Sequence, residues 1–77
     1  MRVLIIGLGN QGKKRIKNLN KSDTHITLDP YNNNADYNSI KDVPLDDFDV
    51  AFLCIPDELK VRYMKYLIKN GKHHLVE

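Results

Sequence analysis

The chain has no tryptophan and a single cysteine, Cys54, among its 77 residues. One cysteine forms no internal disulfide, which excludes a small secreted fold held by staples. A reducing, cytoplasmic location is therefore the expectation. No apolar run approaches the roughly 20 residues that cross a bilayer. The opening run Val3-Leu4-Ile5-Ile6 is too short for a signal segment and leads into Gly-x-Gly rather than a cleavage site. There is no internal repeat, and low complexity is confined to Asn32-Asn33-Asn34. The length allows one domain with a modest core, since a chain of this size buries only about 60% of its unfolded surface. A complete two-domain enzyme is excluded. With 42% hydrophobic and 29% charged residues, the composition is that of a folded globular domain rather than a disordered tail.

The net charge is only +2, but the charges are segregated. Residues 1–20 hold Arg2, Lys13, Lys14, Arg15 and Lys17 and no acid. Residues 21–59 hold nine acids against Lys21 and Lys41, and residues 60–77 hold five bases against Glu77. Most of the bases fall at outward positions of two predicted helices, where Lys and Arg meet water. No aromatic interleaving accompanies them, so no nucleic-acid partner is expected.

The pattern alternates strands and helices. Val3–Ile6 reads as a strand buried on both faces. A helix is predicted from about Asn10 to Leu19, with Gly12, Ile16 and Leu19 inward. After a turn at 20–23 comes a strand at His25–Asp29, stopped by Pro30. Ala35–Tyr37 is expected as a very short edge strand. Ser39–Val43 is expected as one helical turn capped by Ser39 or Asn38. Asp49–Ile55 reads as the clearest strand, ended by Pro56. A last helix is predicted from about Glu58 to Asn70, with Asp57 as N-cap and Gly71 just past its end. Its apolar stripe is Val61, Met64, Leu67 and Ile68. His74–Val76 is a final strand. This is an α/β, Rossmann-like parallel sheet with expected strand order 3-2-1-4-5. Ligands of such sheets bind at the carboxyl ends of the strands, where the order reverses beside the first strand.

Gly7-Leu8-Gly9-Asn10-Gln11-Gly12 matches G-x-G-x-x-G. Gly7 allows the tight turn, Gly9 lets backbone approach a pyrophosphate, and Gly12 lets helix and strand pack closely. The helix N-terminus presents N–H groups and partial positive charge to phosphate. The motif follows a strand and opens a helix. Asp29 follows Gly12 by 17 positions, close to the ~20 expected of a carboxylate that accepts from a ribose diol. A carboxylate there repels a 2′-phosphate, and Pro30, Tyr31 and Asn32 supply no arginine to receive one. The expected cofactor is NAD rather than NADP.

These residues, with Asp49-Val50-Ala51-Phe52-Leu53-Cys54-Ile55-Pro56 and Gly71-Lys72-His73-His74-Leu75-Val76-Glu77, resemble the N-terminal nucleotide domain of the glucose-fructose oxidoreductase / inositol dehydrogenase (Gfo/Idh/MocA) family. The resemblance implies an oxidoreductase that transfers hydride between a nicotinamide and a sugar, cyclitol or related polyol. Gly7, Gly9, Asn10, Gln11 and Gly12 would hold the pyrophosphate and Asp29 the adenosine ribose. Ile55 and Pro56 would lie beside the nicotinamide half, and Glu77 near its ribose. The family's catalytic lysine would follow Glu77, so residues 1–77 are expected to be the dinucleotide-binding domain of a larger enzyme, truncated before the second half and the substrate domain. They would be catalytically incomplete, with no catalytic residue of their own. Ile55 stands where the family often has Thr, and Lys60 where it often has His. The alternative is a stand-alone or regulatory NAD-sensing module without catalysis.

Cys54, inside an apolar strand, reads as a buried inert thiol. His73 and His74 are adjacent and point to opposite faces of a strand, so no metal site is expected. Asp42, Asp46, Asp47 and Asp49 lack a Ca²⁺-loop spacing and read as a solvated loop. Tyr31 is read either as lying along the adenine or as an exposed loop tyrosine. The final strand would form an open edge, through which self-association is expected.

Overall fold

The computed structural model describes residues 1–76. Strand β1 (Arg2–Ile6), helix α1 (Asn10–Lys17), strand β2 (Thr24–Leu28), strand β3 (Val50–Leu53), helix α2 (Asp57–Lys69) and strand β4 (His73–Val76) follow in that order. The sheet is wholly parallel with order β2-β1-β3-β4. It is the expected α/β fold, compatible with a truncated Rossmann-like sheet. The expected edge strand at 35–37 contracts to a single parallel bridge between Leu28 and Tyr37. The bridge sits outside β2, the place given to that strand. Residues 29–36 turn too tightly to lay down more. The Asp36 carboxylate accepts from the N–H and hydroxyl of Thr27 at 2.9 and 3.1 Å, and Asn34 N–H bonds the Asn32 side chain at 2.9 Å.

Strand alternation splits the apolar residues between two layers. Leu4, Ile6, Leu28, Ala51 and Leu53 join Tyr63 and Leu67 of α2 in the main core. Val3 and Ile5 are buried on the other face, where α1 packs and the Arg15 guanidinium stacks over Phe52 at 5.1 Å from the ring centre. The long connection from β2 to β3 also feeds the core. Its 3₁₀ turns at Ile40–Asp42 and Leu45–Asp47 leave Val43 and Phe48 buried under α2's side of the sheet. Ser39 precedes the first turn at the cap position, but its side chain makes no capping bond.

Three expectations for α2 and its surroundings are corrected. The helix starts at Asp57, with Pro56 in the cap position and no side-chain cap. Proline's restricted φ suits a helix entry, and Asp57 instead accepts from Lys60 Nζ at 2.9 Å. Of the expected stripe, Leu67 is buried and Met64 packs half-buried against the core, but Val61 and Ile68 are 56% and 64% exposed, and Lys60 and Tyr63 are buried in their place. The helix is rotated so that the tyrosine ring and the lysine stem face the core, with the ammonium led out to Asp57. Asp49 belongs to an ion pair rather than to a purely solvated loop. Its carboxylate accepts from the Arg2 guanidinium and the Arg2 N–H, both at 3.0 Å. The helix end is as expected. Gly71 has φ +69°, Gly71 N–H bonds Ile68 O at 3.1 Å and Lys72 N–H bonds Leu67 O at 2.8 Å, a Schellman closure. Among the described residues no helix is long and apolar enough to cross a membrane.

Candidate functional site

The sheet order reverses at β1, with β2 on one side and β3 on the other. The chain leaving β1 therefore turns over the carboxyl end of the sheet between two diverging neighbours. Gly7 makes the turn with φ +104°, and its N–H bonds Leu28 O at 2.7 Å. A Cβ there would stand 2.4 Å from Cys54 O and 2.7 Å from Ile55 Cγ2, so the position requires glycine twice over. Gly12 is required by packing alone, since its Cβ would lie 1.9 Å from Gly7 O.

Gly9 is different. A Cβ there would meet nothing within 4 Å. It is the N-cap residue of α1, without a side-chain cap and without an acid in the first turn. The N–H groups of Gly9, Asn10, Gln11 and Gly12 have no acceptor among the described residues. A serine or aspartate cap, typically worth about 1 kcal/mol, would have closed one of these donors. Instead the positive end of the helix is left open.

Asp29 sits just past β2 and is half-buried. Its Oδ2 accepts from Leu8 N–H at 2.8 Å and its Oδ1 from Tyr31 N–H at 2.9 Å. An ionised carboxylate has about four acceptor positions, so two remain. The Leu8 bond ties the acid to the glycine loop and fixes the distance between carboxylate and helix end. Two hollows flank this loop. One, of about 280 Å³, is bordered by Gly7, Gly9, Asp29, Tyr31, Ile55 and Pro56 among others. The second, of about 340 Å³, is bordered by Gly9, Asn10, Gln11, Cys54, Ile55 and Pro56. They share Gly9, Cys54, Ile55 and Pro56 and make one groove across the end of β1.

The structure thus brings together Gly7, Gly9, Asn10, Gln11, Asp29, Ile55 and Pro56. Gly12 stands behind the groove as a packing residue. Glu77 lies outside the described residues. Cys54 is half-buried and borders both hollows, because β3 ends at Leu53 and releases it at the groove wall. The expectation of a buried strand thiol is corrected accordingly. Tyr31 is 83% exposed on the groove's outer lip. Leu59, which sequence reasoning passed over, closes the groove from α2. Among the described residues no cluster of His, Cys, Asp or Glu is disposed to hold a metal.

The perturbed ionisations lie elsewhere. At the amino ends of β1 and β3, the hydrogen bond from the Arg2 guanidinium holds the Asp49 carboxyl below the usual range, helped by the Arg2 N–H. The same contact raises the Arg2 pKa. Asp23 is lowered by its hydrogen bond from the terminal ammonium at 3.0 Å. Both acids sit at the sheet end opposite the groove and bear on stability rather than on binding. No protein-family model matches the chain, and neither a curated protein nor a solved structure matches it.

Proposed function

We propose that this domain binds a dinucleotide, NAD in preference to NADP, in the groove across the end of β1. One observation carries the reading. A carboxylate with acceptor positions to spare is held by Leu8 N–H beside an uncapped helix N-terminus, in one groove, at the switch point of a parallel sheet. The residues fit the group. Gly9 leaves open the space a side chain would fill. The amides of residues 9–12 are donors for phosphate oxygens. Asp29 accepts from a ribose diol and opposes a 2′-phosphate. Ile55 and Pro56 supply an apolar wall. A bound nicotinamide supplies hydride transfer, and this chain's residues position it.

With the resemblance described above, the wider reading is the nucleotide half of a Gfo/Idh/MocA-type oxidoreductase acting on a sugar, cyclitol or related polyol. On that reading the groove's open amides, the Asp29 carboxylate and the apolar wall serve to hold the cofactor, and residues 1–77 should bind without turnover. Calorimetric titration with NAD and NADP tests the proposal. NAD should bind more tightly, and Asp29→Asn should narrow the gap between the two. Tighter binding of NADP by the unaltered chain would refute the cofactor assignment. Absence of heat and of amide shifts at residues 7–12 with either nucleotide would refute the site.

A further inference from the structure

A separate cleft opens between the turn at 38–41 and the flank of α2. It encloses about 430 Å³, more than either hollow of the groove, and shares only Pro30 with them. Three of its features concern recognition. Pro30, Ile40 and Tyr66 supply flat or apolar walls. Lys41 and Arg62 stand at its border, and neither forms an ion pair among the described residues. Asp42 follows Lys41 in sequence, and Glu58 is one helical turn before Arg62, yet neither acid is bonded to these cations.

Tyr63 is the third feature. It is only 3% exposed and its ring belongs to the core. Its hydroxyl has no hydrogen-bond partner among the described residues, while no fully buried side-chain polar atom there lacks one. The hydroxyl is therefore not fully buried, and Tyr63 borders the cleft. A buried tyrosine ordinarily finds a partner for its O–H. This one has none among the described residues, which leaves its O–H available at the border of the cleft. The Arg62 guanidinium lies over the Tyr63 ring at 5.6 Å, which orders the cation at the cleft.

We propose that this cleft is a second binding site, distinct from the dinucleotide groove, for a small aromatic oxyanion. The ring lies against Pro30, Ile40 and Tyr66. The oxyanion meets Lys41 and the guanidinium fork of Arg62, which suits carboxylate and phosphate oxygens alike. The Tyr63 hydroxyl bonds the ligand from the floor. The turn that carries Lys41 is anchored by Asn38, whose side-chain N–H₂ bonds Asp29 O at 2.7 Å and Asn32 O at 3.0 Å.

Amide-shift titrations of the full chain with benzoate and with phenyl phosphate test this and separate the two oxyanions. Ligands of about ten heavy atoms should bind with Kd on the order of 0.1–1 mM. Shifts should centre on residues 38–41 and 62–66. Benzamide, which keeps the ring and loses the charge, should bind about tenfold more weakly. Inorganic phosphate should bind more weakly than phenyl phosphate. Arg62→Gln and Lys41→Gln, both at exposed positions, should each weaken benzoate about fivefold or more and leave NAD titrations unchanged. Tyr63→Phe, which keeps the core ring, should weaken binding about threefold. Benzamide binding as tightly as benzoate would overturn the proposal. So would shifts confined to residues 7–12 and 29, no binding of either anion, or unchanged affinity in both charge variants.

Discussion

Gly12→Ala separates packing from propensity with opposite signs. Within a helix, alanine is favoured over glycine by up to about 1 kcal/mol, and Gly12 lies in the first turn of α1. Propensity alone therefore makes the substitution stabilising. The structure reverses this. The new Cβ would stand 1.9 Å from Gly7 O and 3.0 Å from Gly7 C, where contacts under 3.0 Å are essentially never seen. Relief requires a separation increase of at least 1.1 Å between α1 and the loop. The obstacle is backbone, and that backbone is itself pinned, since Gly7 N–H bonds Leu28 O at 2.7 Å. Overpacking of this kind costs about 1–3 kcal/mol or more. For a domain of this size the whole stability is about 4–12 kcal/mol. With a urea slope near 1 kcal/mol/M, the midpoint should fall by about 2 M. Circular dichroism across a urea series measures it. Gly9→Ala is the matched control. Its Cβ would meet nothing within 4 Å, so stability should change by less than about 1 kcal/mol, while dinucleotide affinity should fall because the methyl enters the groove. A Gly12→Ala protein as stable as the parent would refute the packing argument.

Three further outcomes follow from the contacts. Asp49 has a depressed pKa because of Arg2. Its stabilising contribution is therefore present above the ordinary carboxylate value and lost as pH falls through the lowered one. Arg2→Gln should lower the urea midpoint more at neutral pH than in acid, where only the non-titrating bond from Arg2 to Asp46 O is still lost, and an equal deficit at both would exclude the linkage. Lys72 Nζ donates to Phe48 O at 2.8 Å and lies over the Phe48 ring at 4.9 Å. Lys72→Met keeps the stem but should cost about 1–3 kcal/mol, read as a shift of thermal midpoint; no shift would mean the ammonium is replaced by water. The outer side of β4 is unpaired among the described residues, with Leu75 and Val76 half exposed. Sedimentation should show concentration-dependent association that Leu75→Lys abolishes, and a clean monomer at high concentration would exclude it.

What was legible in the sequence is what depends on neighbours along the chain. The glycine spacing announces the turn at Gly7 and the approach at Gly12, and both are confirmed by the atoms a Cβ would strike. The helix end at Gly71 is a local backbone closure and was equally readable. Strand β1 was readable because it is buried on both faces and leaves no polar alternation to confuse it. The rotation of α2 was not readable. Hydrophobicity alone ranks Val61 and Ile68 above Lys60 and Tyr63. The rank fails because a tyrosine offers a larger buried ring and a lysine a long apolar stem. Phe48, among the largest fully buried side chains, was also missed. It sits in an acidic stretch whose composition reads as loop, and only the tertiary position of that stretch puts it under the sheet.

The candidate groove divides along the same line. Its residue types were visible, since each lies in a short motif. Its internal wiring was not, because the bond from Leu8 N–H to Asp29 spans 21 positions. That bond changes what Asp29 means. Read from sequence, the acid is a free recognition group at a strand end. In the fold it first holds the glycine loop and turns only its remaining lone pairs toward the groove. Removing the carboxylate therefore loosens the loop along with the proposed ribose contact, whereas Asp29→Asn removes the charge and keeps one side-chain oxygen, enough for Leu8 N–H but not also for Tyr31 N–H. The asparagine variant thus reports on cofactor choice, and an alanine variant reports on the loop. The cleft beside α2 lay beyond sequence reading for the same reason. Pro30, Lys41, Arg62 and Tyr63 share no motif, and only the packing of the 38–41 turn against α2 makes them neighbours.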